Sequence, residues 1–255
     1  MKFNVNLTEF KVSIALVVIC ILFNSLHAQI ITETPPQKNE KDKKDMGPEK
    51  IAPSDTDIYF GVSPMYTFRT LVTNEGLFGE EVGDREQEFG SWVSSYGIGL
   101  RSGISKHFLL DFGFGVSRNR EAFSINEPDS LFEYTSTYRQ IAIPIQLGYT
   151  YGEEISFFMS LGLMPKAFLS QRKDILFRDQ SGFEVEETEI IKNGYEQFLV
   201  DAIGRVGFRF QTSNKLGIYL MGEGFYQLSN NYTDQGPYIR RPFGIGLSMG
   251  FHIYL

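Results

Sequence analysis

Residues 106–118 alternate strictly: Phe108, Leu110, Phe112, Phe114 and Val116 fall on one parity, and Leu109, Asp111, Gly113, Gly115 and Ser117 on the other. A period of two is the signature of a strand, since a helix would repeat its apolar residues every 3.6 positions. Residues 241–255 repeat the pattern, with Phe243, Ile245, Leu247, Met249, Phe251, Ile253 and Leu255 in phase. Six further runs do the same: 58–70, 90–104, 138–151, 154–169, 195–211 and 215–228. The spacing predicts an all-β chain of eight antiparallel strands.

The connections decide how those strands are joined. Tight turns are expected near Ser105–Lys106, Gly152–Glu154 and Ser213–Lys215. Long polar loops are expected over about 71–89, 119–134, 171–194 and 229–240. Alternating short and long connections describe an up-and-down barrel that starts and ends on its short-turn side. In bacterial outer-membrane barrels that side is periplasmic, which puts both termini there.

The bulky face must point outward. An eight-stranded lumen is only wide enough for side chains to fill it. The small parity supplies Gly97, Gly99, Gly113, Gly115, Gly148, Gly162, Gly207, Gly217, Gly244, Gly246 and Gly250 for that crowded space. A ring of Phe, Leu, Ile, Met and Val facing water would far exceed a tolerable apolar patch, whereas lipid requires one. The expected fold is therefore an eight-stranded transmembrane β-barrel over residues 58–255, located in the outer membrane. Aromatic girdles are expected at both rims. Tyr66, Phe68, Phe89, Trp92, Tyr138, Tyr226 and Phe243 supply the long-loop rim; Phe60, Phe108, Tyr149, Tyr151, Phe208, Phe210, Phe251 and Tyr254 supply the other. Pro64, Pro144, Pro165 and Pro242 fall inside strands, and each is expected to mark a bulge, with uncertain register around it.

The N-terminal residues read as a targeting segment. Lys2 and Lys11 precede an apolar run from Val12 to Phe23, too short for a spanning helix of about 20 residues, and Ala28 offers a cleavage position. Residues 1–28 are expected to be a signal peptide. Residues 29–57, polar and carrying Pro35, Pro36, Pro48 and Pro53, read as a disordered periplasmic linker. The single cysteine, Cys20, lies in the apolar run, so the mature chain would have no thiol chemistry.

The small parity also carries charge: Arg69, Arg101, Asp111, Lys166, Asp201, Arg205, Arg209, Glu223 and His252. Buried charge is costly unless paired. Arg101 should meet Asp111 across the first tight turn, and Arg205 should meet Glu223 across the third. The expected lumen network is Arg101, Asp111, Asp201, Arg205, Arg209 and Glu223. It reads as structural filler, or alternatively as the gate of a narrow pore.

No enzyme site emerges. The mature chain keeps only His107 and His252, both at the turn end, away from where a lipid A-modifying enzyme would work. No serine–histidine–acid set, zinc set or phosphate-cradling loop is readable, so no catalytic residue, metal or cofactor is expected. A net charge of −7 with no basic stripe argues against nucleic acid. Glu80, Glu81, Asp84, Glu86 and Glu88 make the first loop acidic, without EF-hand spacing for calcium. Arg118, Arg120, Arg139, Arg240 and Arg241 lie near the long-loop rim, where they could hold lipopolysaccharide phosphates.

Tyr138–Tyr149 (YRQIAIPIQLGY), the strand at 157–169 and the hairpin at 201–231 resemble the PorT-like family of Bacteroidota outer-membrane barrels. The C-terminal residues resemble the signal read by the barrel-insertion machinery, carried by Ser248, Gly250, Ile253 and Leu255, with Leu where Phe is commoner. The resemblance implies a fold and a location. It also implies a non-enzymatic barrel, structural or interacting, accessory to an envelope secretion (type IX-like) or assembly complex. Expected partners are outer-membrane lipid and lipopolysaccharide, the insertion machinery and an envelope complex. A narrow pore, a loop-mediated surface binder and a lipid A-modifying enzyme remain the other readings.

Overall fold

The structure, a computed structural model, describes residues 56–74, 85–127, 130–178, 181–213, 215–233 and 236–255. The expected signal peptide and nearly all of the expected linker lie outside these residues. Ten strands are present: β1 (Thr56–Thr73), β2 (Glu88–Gly103), β3 (Phe108–Glu127), β4 (Ser130–Ala142), β5 (Ile145–Tyr151), β6 (Ile155–Arg178), β7 (Glu184–Ile191), β8 (Phe198–Gln211), β9 (Leu216–Gln227) and β10 (Tyr238–Tyr254). All their pairings are antiparallel.

The ladder closes on itself. β1 pairs β2, β2 pairs β3, β3 pairs both β4 and β5, and both of these pair β6; β6 pairs β8, β8 pairs β9, β9 pairs β10, and β10 returns to β1. β4 and β5 are two halves of one stave, parted at Ile143–Pro144. The ring therefore has eight staves, as the alternation predicts. Closure gives each of the eight staves two neighbours.

β7 stands outside the ring and pairs only with the outer half of β6. The expected loop at 171–194 is thus a β-hairpin, and the expected loop at 119–134 continues the β3–β4 ladder out to Glu127↔Ser130. Charged residues fill 171–178 and 184–191 with no apolar parity, so the composition resembles a loop. The barrel also begins two residues earlier than expected: Thr56 and Asp57, assigned to the linker, open β1.

The prolines correct a second expectation. The register of β1 against β10 is the same on both sides of Pro64, and Pro165 pairs Val200 and Pro242 pairs Arg69 in uninterrupted register. Around Pro144 the β3 partners keep phase from Gly115↔Ala142 to Phe112↔Ile145. A proline removes only one donor, and its carbonyl still accepts: Pro144 O from Gly113 N and Pro165 O from Ile143 N, both at 2.9 Å. The register shifts lie elsewhere, between Gly90 and Tyr96 on β2 and between Arg139 and Gln140 opposite β6.

The large residues face outward. Trp92 is 60% exposed, Leu161 71% and Ile245 69%, while Leu109, Phe158 and Met221 on the opposite parity are buried. On β10 the outward series from Phe243 to Ile253 fits the roughly 9–11 residues that one strand needs to cross a bilayer. Tyr138 breaks the girdle expectation: it is buried in the lumen. Tyr254 also turns from the girdle, contacting His252 at 3.0 Å.

Candidate functional site: the lumen

The lumen is built in alternating apolar and charged layers. Nearest the short turns, Tyr59, Leu109, Phe158, Tyr219 and Met221 form one apolar cluster. Glycines on neighbouring staves make room for these rings. A Cβ on Gly99 would lie 2.4 Å from the Tyr59 ring, and one on Gly217 would lie 2.2 Å from His252. Met65, Ala142, Met164, Ile203 and Phe225 form the middle cluster. Tyr138, Phe168 and Tyr195 form the third, closed over by Ile191 and Tyr232.

A continuous chain of alternating charge threads the first layer. Arg209 Nη2 meets Asp57 Oδ2 at 2.6 Å, and Asp57 Oδ1 lies 3.6 Å from Arg101 Nη1. Arg101 Nε donates to Asp111 Oδ2 at 3.1 Å. Asp111 faces Arg205 Nη1 at 3.6 Å, and Arg205 Nε donates to Glu223 Oε2 at 2.7 Å. Three cations and three anions cancel. Tyr59 donates to Asp111 Oδ1 at 2.8 Å, and its ring lies 4.0 Å from the Arg101 guanidinium carbon. Each charge thus gains the partners that make its burial tolerable.

A second, smaller pair lies farther along: Lys166 Nζ and Asp201 Oδ2 at 2.6 Å, both fully buried. A third group spans the long-loop end. Glu121 pairs with Arg69 at 2.9 Å and accepts from Arg240 at 3.0 Å, and Glu88 accepts from Arg69 at 2.8 Å. Tyr138 donates to Glu121 at 3.1 Å and stacks 3.8 Å from Arg240.

Of the six residues expected to share a network, the structure joins Arg101, Asp111, Arg205, Arg209 and Glu223 through Asp57. It sets Asp201 apart with Lys166. Sequence reasoning missed Asp57, Glu88, Glu121 and Arg240. Asp57 lies two positions before Tyr59, on the inward parity, and that phase was the available signal. Glu121 shares parity with Asp111 but lies within the expected loop at 119–134. Arg240 was expected at the rim and instead is buried against Tyr138. Glu88, grouped with the acidic loop, is an ion-pair partner; Glu80, Glu81 and Asp84 lie outside the described residues.

At the C-terminus, Ser248 faces the lumen, Gly250 pairs Gly61, and Ile253 and Leu255 are exposed on the outer face. His107 and His252 lie at the short-turn end. His107 sits against Tyr149 and Tyr151, and His252 against Tyr254. Among the described residues no three His, Cys, Asp or Glu side chains converge as metal ligands. Outside the ring, Asp174 on the β6–β7 hairpin is held below the usual carboxylate range. Its slight burial acts the other way and is outweighed by the Thr188 hydroxyl, by Arg172 and by the charge of Arg120.

No family model and no curated protein matches the chain. Among solved structures it is similar to the outer membrane protein OprG from Pseudomonas aeruginosa, at 10% identity and TM-score 0.43, covering 80% of this chain and 97% of that one. Neisserial surface protein A is 10% identical with TM-score 0.40, covering 79% and 98%. Ail, the attachment invasion locus protein of Yersinia pestis, is 11% identical with TM-score 0.32, covering 78% and 99%.

Proposed function

We propose that this chain is an outer-membrane β-barrel with a sealed lumen, a non-enzymatic structural or interaction component of the envelope. One observation carries the reading: the outer wall is a belt of exposed large apolar residues, while the lumen is packed with rings and mutually neutralised charges. Only lipid suits such a wall. A lumen filled in this way leaves the outer wall and the long-loop end as working surfaces. The PorT-like resemblance extends the proposal to an accessory role in a secretion or assembly complex. On this reading residues 1–28 are removed on export, and the termini face the periplasm.

The test is affinity purification of the tagged protein from outer-membrane extracts in mild detergent. Envelope proteins recovered in stoichiometric amount are the expected result. Recovery of the barrel alone would count against the accessory role.

A further inference from the structure

The wall has one parted seam. Between β2 and β3 the ladder stops at Gly90↔Glu121 and resumes at Tyr96↔Val116, leaving residues 91–95 facing residues 117–120 unpaired. Backbone groups opened toward lipid would cost several kcal/mol each if left bare. Side chains satisfy several of them. Arg118 N donates to Ser95 Oγ at 3.0 Å, and Arg120 N donates to Thr67 Oγ1 at 2.7 Å. Thr67 Oγ1 donates in turn to Arg120 O at 2.9 Å. The seam is held apart by these hydroxyls rather than frayed.

The parting leaves room. On the lumen side a cavity of about 60 Å³, lined mostly by inward residues such as Tyr59, Met65, Met164 and Phe225, reaches Ser95 and Ser117 at the end of the seam. A second cleft of about 290 Å³, sharing Tyr96, lies between Trp92, Arg118 and Arg120.

Charge sits at the edge of this opening. On β3 the outward face changes from Phe114 and Val116 to Arg118 and Arg120, and on β4 from Ile141 to Arg139. That change marks the height where acyl chains give way to headgroups. Arg118 stands directly opposite Arg139, and like charges so placed repel. Neither makes an ion pair among the described residues. Among the described residues the Arg120 side chain hydrogen-bonds only neutral groups, Thr137 Oγ1 at 3.0 Å and Trp92 O at 3.4 Å. Asp174, farther out, is already engaged by Arg172 and Thr188. Three guanidinium groups without a paired carboxylate, beside a cleft walled by Pro64, Trp92 and Tyr96, match a phosphate with an alkyl chain alongside it.

We propose that the β2–β3 seam binds one phosphorylated lipid of the surrounding leaflet. Arg118, Arg120 and Arg139 hold its phosphate, and an acyl chain lies in the parted seam. The proposal rests on the membrane reading above.

The experiment is native mass spectrometry of the full-length barrel in detergent, titrated with bis-phosphorylated lipid A, with dephosphorylated lipid A and with inorganic phosphate. The expected result is one bis-phosphorylated lipid retained per barrel. Retention should fall about tenfold or more, both for the dephosphorylated lipid and for the R118Q/R139Q variant, because charge-assisted bonds to phosphate are lost. S94W, which fills the outer cleft and leaves the arginines, should weaken retention with the same lipid. Equal retention by wild type and R118Q/R139Q, or inorganic phosphate competing the lipid off, would overturn the lipid site while leaving the barrel reading intact. A chain that is monomeric and soluble without detergent would overturn both.

Discussion

The lumen and the β6–β7 hairpin use the same ion-pair chemistry in opposite surroundings. In the lumen, Arg101 and Asp111 are buried side by side, each with further partners. On the hairpin, Arg178 pairs Glu184 at 2.6 Å with both side chains well exposed. Distance does not separate the two pairs; solvent does. Water offers the hairpin charges an alternative partner, so their pairing contributes little. The lumen charges have no alternative, so each depends on the other. The hairpin extends beyond the ring, touching the third lumen cluster only through Ile191, and both faces of β7 carry charge. The ring is stabilised from both sides, by packed rings within and by the medium without.

Four substitutions would break or sharpen that contrast, each read by urea unfolding in lipid vesicles with the fluorescence of Trp92, the chain's one tryptophan. Arg101→Met should have the largest effect, a loss of roughly 3–5 kcal/mol, because it leaves Asp57 and Asp111 short of a buried partner. Leu110→Arg, on the outer wall, should cost roughly 2–4 kcal/mol if that position faces mid-bilayer. Gly99→Val should cost about 1–3 kcal/mol by forcing its side chain into the Tyr59 ring. Arg178→Ala, on the hairpin, should cost no more than about 1 kcal/mol. If Arg178→Ala matched Arg101→Met, the hairpin would be part of the stabilising core and the contrast would fail.

The ring itself was legible in the sequence because period-two alternation survives wherever the two faces meet different media. Leu110 to Ser117 shows it without exception. The β6–β7 hairpin was not legible for the converse reason: with water on both faces, Glu184 to Ile190 needed no apolar parity, and the composition resembles a loop. The pairs Arg101–Asp111 and Arg205–Glu223 could be foreseen because a tight turn fixes their register. Arg69, Glu121 and Arg240 meet across the lumen from strands distant in sequence, and no local pattern announces such a meeting. The prolines misled because a missing donor was equated with a shifted register, whereas Pro144 and Pro165 keep their place through their carbonyls. The parted seam lies instead at residues 91–95, where Ser91, Ser94 and Ser95 were the only hint.

The most direct test of a sealed lumen is single-channel recording of the purified, folded barrel in planar bilayers. The packed rings and cancelled charges predict insertion with no current above the bare-membrane baseline, in wild type and in Arg178→Ala alike. Steady ohmic steps from the wild-type barrel would contradict the account, because ions could then pass where Arg101, Asp111 and Tyr59 are said to close the path.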